Sequence, residues 1–195
     1  SYILILSLTI IGIITWLEFY ALVAKIFKKK NYMHKILRFF YKTISLMYLS
    51  SLIYLIVFTK LSKPEIFTMI IYTILVSILT DIGGLVIGRV FKGRKLTKIS
   101  PKKTISGSLG SFIFSLFLVP LFIQSSLNYN FLEISLIVLF ISLISQIGDL
   151  FISFLKRSAK VKNTSDLLPG HGGILDRIDG IIFAIPVGFL FFNTF

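Results

Sequence analysis

The chain has 195 residues, of which 55% are hydrophobic and 20 are phenylalanine, with a mean hydropathy of +0.91. Only 15% are charged, and these cluster between apolar stretches, which excludes a disordered tail, a collagenous chain and a charged coiled coil. The absence of cysteine removes disulfides, thiolate metal sites and cysteine nucleophiles, and the formal charge of +13 belongs with basic cytoplasmic loops and phosphate-bearing partners, not with nucleic acid.

Taken in chain order, apolar segments cover 2–26, 43–59, 66–90, 105–124, 131–155 and 180–195. Each is close to the ~20 residues that an α-helix needs to cross a hydrocarbon core. Their apolar residues run continuously and do not alternate, so a β-barrel is excluded. The expected fold is all-α: a polytopic integral membrane protein with about six transmembrane helices, forming a single membrane domain over 1–195. The first segment is not a cleavable signal, since it is long, contains Glu18 and leads into a basic stretch with no small-residue cleavage site. A start at Ser1 instead of Met leads us to expect upstream sequence.

Positive charge sets the orientation. Six Lys/Arg fall in 28–42, seven in 89–103 and five in 156–177, against two in 60–65 and none in 125–130. This alternation assigns the rich loops to the cytoplasm. The linker 28–42 has no further pattern and reads as a topology signal with attraction for anionic lipid.

Acidic residues number eight. Glu65 and Asp166 fall in loops; Glu133 lies near the end of a span, and Glu18, inside the first, has no constellation around it and reads as structural. Asp81 and Asp149 lie within apolar segments, where an unpaired carboxylate costs on the order of 3 kcal/mol, so each needs a cationic partner. On a helix Asp149, Ser153 and Lys156 fall at i, i+4 and i+7 and share one face. Asp176 and Asp179, at i and i+3, occupy the start of the last helix, where the helix dipole favours negative charge. Three carboxylates with no cysteine and one nearby histidine, His171, suit a hard cation such as Mg2+ over zinc. The basic residues among them suggest phosphates as the metal's other ligands, and Gly170, Gly172 and Gly173 let backbone N–H groups approach an anion. The region reads as a metal-assisted phosphate site at the cytoplasmic face, with an ion-conducting or transport site as the alternative. Gly83, Gly84 and Gly88 are close helix contacts as readily as anion-approach points.

The same residues carry a resemblance. Ser153, Lys156-Arg157, Lys162-Asn163, Pro169-Gly170-His171-Gly172-Gly173 and Asp176-Arg177-Ile178-Asp179 resemble the phosphatidate cytidylyltransferases in residue type and spacing. Asn163 departs from the pattern, standing where that family usually has Asp. The stretch from Asp81 to Gly88, followed by Ser100-Pro101-Lys102-Lys103-Thr104 and Gly107, is similar to the family's second common region, with Gly84 where Ala is usual. The resemblance covers 81–195, a cytidylyltransferase-like catalytic region, and leaves the helices of 1–60 without an assigned role.

It implies a nucleotidyltransferase that uses CTP and phosphatidate to form CDP-diacylglycerol and pyrophosphate in phospholipid biosynthesis, with Mg2+ and room for a second cation. Asp149 and Asp176 would be the core metal ligands, supported by Asp179, and Asp149, Ser153, Lys156 and Asp176 the catalytic group. Arg157, Lys162, Arg177, Lys102 and Lys103 would contact substrate, together with Asp81, Gly172 and Gly173. His171 is assigned to binding only, because a phosphate monoester with a second pKa near ~6 needs no general base. A bacterial inner membrane, a cytoplasmic active site and a homodimer are compatible with this reading. The alternatives are a non-catalytic transporter or lipid-binding relative, motivated by Asn163, and a cytidylyltransferase for another lipid phosphate.

Overall fold

The structure, a computed structural model, describes all residues except 1, 29–30, 98, 102, 126–128, 168–171 and 195. Its helices are α1 (Tyr2–Ile26), α2 (Tyr32–Ser62), α3 (Pro64–Phe91), α4 (Ile105–Leu116), α5 (Val119–Ser125), α6 (Phe131–Ser158) and α7 (Leu175–Thr194). Among the described residues there is no strand; Lys95 and Thr104 form an isolated antiparallel bridge. Among the described residues, five helical stretches are long and apolar enough to cross a membrane, with 105–124 counted as one. Large apolar side chains stand exposed along them, including Leu85, Val90, Leu109, Ile113 and Phe117, as expected of surfaces that face lipid. The protein is an all-α membrane protein.

Where element bounds differ from expectation, local chemistry accounts for the difference. The basic linker 28–42 is helical from Tyr32 onward. Arg38 explains why a charged stretch folds there: its Nε donates to Phe27 O at 2.8 Å and its Nη2 to Ala24 O at 3.2 Å, satisfying carbonyls that the end of α1 leaves open. Between α2 and α3 only Lys63 is non-helical, because Pro64 cannot donate an N–H and starts a new helix at its first position. The apolar stretch 105–124 is broken at Phe117 and Leu118; Pro120 lacks the N–H that would continue α4, and α5 begins immediately before it. Helix α6 runs three residues past its apolar part, to Ser158, and α7 starts at Leu175, ahead of the apolar residues from Gly180.

The chain divides into two compact units, Ser1–Phe58 with Ile152–Ile178, and Thr59–Phe151 with Asp179–Phe195. In the second, Val76, Val119, Phe122, Ile134, Val138, Ile141 and Ala184 are almost completely buried, and Phe122 lies between Tyr72 and Phe192 with ring centroids 5.3 Å away on each side. Small residues bring α3 and α4 together: a Cβ on Gly83 would come 2.6 Å from Gly110 O, and one on Gly107 would come 2.7 Å from Gly84 O. These glycines therefore serve helix contact, the first of the two roles open to them in the sequence. Ser111 Oγ donates to Thr80 O at 2.7 Å and Thr80 Oγ1 to Ser142 Oγ at 2.8 Å, each such bond contributing about 0.6–2 kcal/mol within a membrane. In the first unit Trp16 Nε1 donates to Lys42 O at 3.2 Å, and the Lys42 ammonium lies over the Trp16 and Tyr20 rings at 5.3 and 5.0 Å.

Candidate active site

In the second unit, the connection from α3 to α4 is a narrow loop closed by its own backbone. Lys92 turns the chain in the left-handed region at φ 41°, Leu96 N donates to Lys103 O at 2.8 Å, and Ile105 N to Arg94 O at 2.9 Å. Thr104 caps α4 by accepting from Gly107 N at 3.0 Å. This frame presents the Lys103 ammonium to the Asp149 carboxylate of α6, forming an ion pair. The cation that an intramembrane Asp149 requires thus comes from 46 residues away in sequence. Asp81 of α3 lies within electrostatic reach of both charges. Lys102 lies outside the described residues.

In the first unit the C-terminal turn of α6 carries Lys156 and Arg157 into a reversal, where Val161 N donates to Lys156 O at 2.9 Å and Arg157 Nη1 to Val161 O at 3.2 Å. Lys156 Nζ meets Asp176 Oδ1 at 2.6 Å, with side chains only 12% and 11% exposed. The other oxygen, Asp176 Oδ2, accepts from Thr164 N at 2.9 Å and Gly173 N at 3.0 Å. Asp176 precedes the apolar part of α7. Partial burial pushes its carboxyl up, but the Lys156 ammonium and the Thr164 and Gly173 N–H groups outweigh this and hold it below the usual carboxylate range. Gly172 adopts φ +83°, and a Cβ there would come 2.7 Å from Asp176 Oδ2 and 3.4 Å from Asn163 Cγ, so conformation and space both call for glycine. The Gly173 N–H, one of those expected to meet an incoming anion, is donated here to the protein's own carboxylate.

A second acid of this unit is bonded as heavily as Asp176, although nothing in its local sequence marks it. Glu18, 4% exposed on α1, accepts four hydrogen bonds: on Oε1 from Ser165 Oγ at 2.6 Å and Ile174 N at 3.1 Å, on Oε2 from Thr164 Oγ1 at 2.9 Å and Leu175 N at 2.8 Å. Its reading as a side chain with no constellation is corrected: the constellation exists but is drawn from residues 146 to 157 positions away. The available signal was the cost of a buried carboxylate with no local partner, which requires donors from elsewhere.

The remaining candidates are distributed as follows. Ser153 is buried on α6, while Arg157, Lys162 and Arg177 are exposed. Asp179 is 5% exposed and its Oδ1 accepts from Gly180 N at 2.9 Å. His171 falls outside the described residues, as do Pro169 and Gly170. Among the described residues no three Asp, Glu or His side chains converge as a group able to hold a metal ion. The structure joins Lys156 to Asp176 and Lys103 to Asp149.

Residues 2–195 match the cytidylyltransferase family. The chain belongs to that family. Among its relatives, the phosphatidate cytidylyltransferase of Bacillus subtilis (strain 168) is 42% identical over 127 residues, 64% of this chain and 46% of that protein. That of Staphylococcus haemolyticus is 43% identical over 121 residues, covering 60% and 46%, and that of Rickettsia typhi 40% over 117 residues, covering 56% and 51%. The chain spans about half the length of the curated relatives it matches.

Proposed function

We propose that the protein transfers the cytidylyl group of CTP to phosphatidate, releasing pyrophosphate and forming CDP-diacylglycerol. The observation that carries this reading is the half-buried Lys156–Asp176 pair, fixed by Thr164 and Gly173, in a chain of the cytidylyltransferase family whose relatives are named phosphatidate cytidylyltransferases. A lipid phosphate monoester with a second pKa near ~6 is already largely dianionic at neutral pH, so its oxygen attacks the α-phosphorus without a general base. What the protein has to supply is in-line positioning and neutralisation of charge on the nucleophile, the α-phosphate and the leaving pyrophosphate. Lys156 and Lys103, each already held against a carboxylate, are pre-aimed ammonium groups for phosphate oxygens, and exposed Arg157, Lys162 and Arg177 add positive charge in the unit of Lys156. Ser153 would hydrogen-bond a phosphate; Lys102, Asp81, Gly172, Gly173 and His171 would complete substrate binding.

The donor chemistry suits Mg2+. Asp149 and Asp176 offer hard carboxylate oxygens, and each already draws a positive charge onto itself. Asp149, Asp176 and Asp179 are our candidate ligands for the ion, which would neutralise charge on the nucleotide phosphates when bound. We place the site on the cytoplasmic side of a bacterial inner membrane, on the strength of the basic segments 89–103 and 156–177. A cysteine at exposed Asp166 should then resist an impermeant thiol reagent in intact cells; ready labelling would contradict that orientation. The function is tested by incubating purified protein in detergent with labelled CTP and Mg2+. Label should enter lipid only when phosphatidate is added, and its absence under all lipid phosphates tried would leave a non-catalytic membrane protein.

A further inference from the structure

Glu18 lies outside the motif region, yet its carboxylate accepts hydrogen bonds from four residues within it. Helix α7 begins at Leu175, and the residue in its capping position, Ile174, has no side-chain acceptor for the first helical N–H groups. Asp176 cannot serve, since its Oδ2 is taken by Thr164 N and Gly173 N and its Oδ1 by Lys156. The acceptor comes from another helix: Glu18 of α1 takes the Ile174 and Leu175 N–H groups, one on each oxygen. The same two oxygens take the Ser165 and Thr164 hydroxyls, so one carboxylate joins both ends of the segment from 164 to 175. A Cβ on Gly173 would collide with Thr164 Oγ1 and with the Glu18 carboxylate, which shows how closely the three are packed.

Thr164 links this clasp to the ion pair. Its Oγ1 lies 2.9 Å from Glu18 Oε2 and 2.9 Å from Asp176 Oδ2, and its single hydroxyl proton is shared between them. Movement of Glu18 therefore moves Thr164, whose backbone N–H and hydroxyl both rest on Asp176. We infer that Glu18 is a positioning residue for the Lys156–Asp176 pair: it fixes residues 164–165 and 174–175 on α1 and, through Thr164, sets the orientation of the Asp176 carboxylate. The inference rests on the proposed cytidylyl transfer only for its kinetic consequence; the clasp itself is independent of what the site does.

Glu18→Gln is the informative variant. It keeps shape and one acceptor oxygen but turns an NH2 group toward two donors, one of which is a backbone N–H that cannot rotate away. Hydrogen exchange in the peptide 160–176 should accelerate by about tenfold or more in E18Q while the detergent melting temperature of the whole protein stays near wild type. The kcat for CDP-lipid formation should fall by about tenfold or more with KM for CTP within about threefold, the pattern of a misplaced group and not of lost binding. Thr164→Val should reproduce a smaller loss in kcat, and Thr164→Ser, which restores the hydroxyl, should recover most of it. Should E18Q fail to fold, the Thr164 pair carries the same comparison. Unchanged exchange in 160–176, a change in KM alone, or no recovery with T164S would overturn the positioning role. If the wild-type protein forms no CDP-lipid, the functional reading falls, and the exchange measurement still decides whether Glu18 holds the segment.

Discussion

Among the described residues two lysine–aspartate pairs stand out, and they are held in different ways. Asp149 meets Lys103, which is delivered by a loop ordered mainly through its own backbone ladder. Asp176 meets Lys156 and is further gripped by two backbone N–H groups and the Thr164 hydroxyl, with Glu18 behind them. Its side chain is also about half as exposed, 11% against 21%. A carboxylate with several fixed donors keeps its geometry when one partner leaves. The same two residue types thus serve in two settings, one closed around by backbone donors and one met by a lysine from a loop.

The largest effects should come from removing either anionic centre. Asp176→Asn and Asp149→Asn should each lower kcat by about a thousandfold or more while the protein still inserts and purifies, because a negative group is lost where the dielectric is low. Near-normal turnover by either variant would remove that residue from the reaction. Lys156→Met should come next, lowering kcat by roughly ten- to a hundredfold. Hydrogen exchange in 160–176 should remain slow in this variant, since Thr164 N, Gly173 N and Glu18 retain their bonds. Fast exchange would show that the ammonium, and not the backbone donors, holds Asp176.

In the second unit, Gly107→Val tests packing separately from charge. A Cβ at 107 already comes 2.7 Å from Gly84 O, so the larger side chain should destabilise the protein by about 1–3 kcal/mol, read as a lower melting temperature in detergent. A variant as stable as wild type would mean that α3 and α4 do not depend on close approach. The smallest effect should be that of Asn163→Asp. Asn163 is exposed and lies beside Gly172, and Asp176 already has its donors without it. Adding a negative charge should change the rate by less than about tenfold. Recovery of an inactive wild-type protein by this change alone would show that the natural chain is a degenerate enzyme.

Much of this was legible before the fold was known, for reasons that differ between residues. Helix α1 could be bounded as 2–26 because apolar composition and a following basic run mark both ends. Helix α2 was drawn too short because hydropathy penalises Lys35, Arg38 and Lys42, whereas Arg38 in fact satisfies the end of α1. The break after Leu116 depended on Pro120, whose effect on backbone bonding a hydropathy window does not register. Asp149, Lys156 and Asp176 could be singled out from charge in apolar surroundings and from family spacing, yet which lysine meets which aspartate is a long-range property. Lys103 with Asp149 is such a case, and Glu18 with the segment from 164 to 175 is the more extreme one, because Thr164 and Ser165 carry no pattern pointing back to α1.

In the proposed reaction Asp149 and Asp176 serve attack of a lipid phosphate on the α-phosphorus of CTP. Parallel reactions with CTP labelled at the α- or the γ-phosphate test it most directly. In the wild-type protein with phosphatidate and Mg2+, α-label should appear in lipid and γ-label in released pyrophosphate, and neither transfer should occur with Asp149→Asn or Asp176→Asn. Entry of γ-label into lipid, or α-label in lipid with either aspartate replaced, would contradict the account.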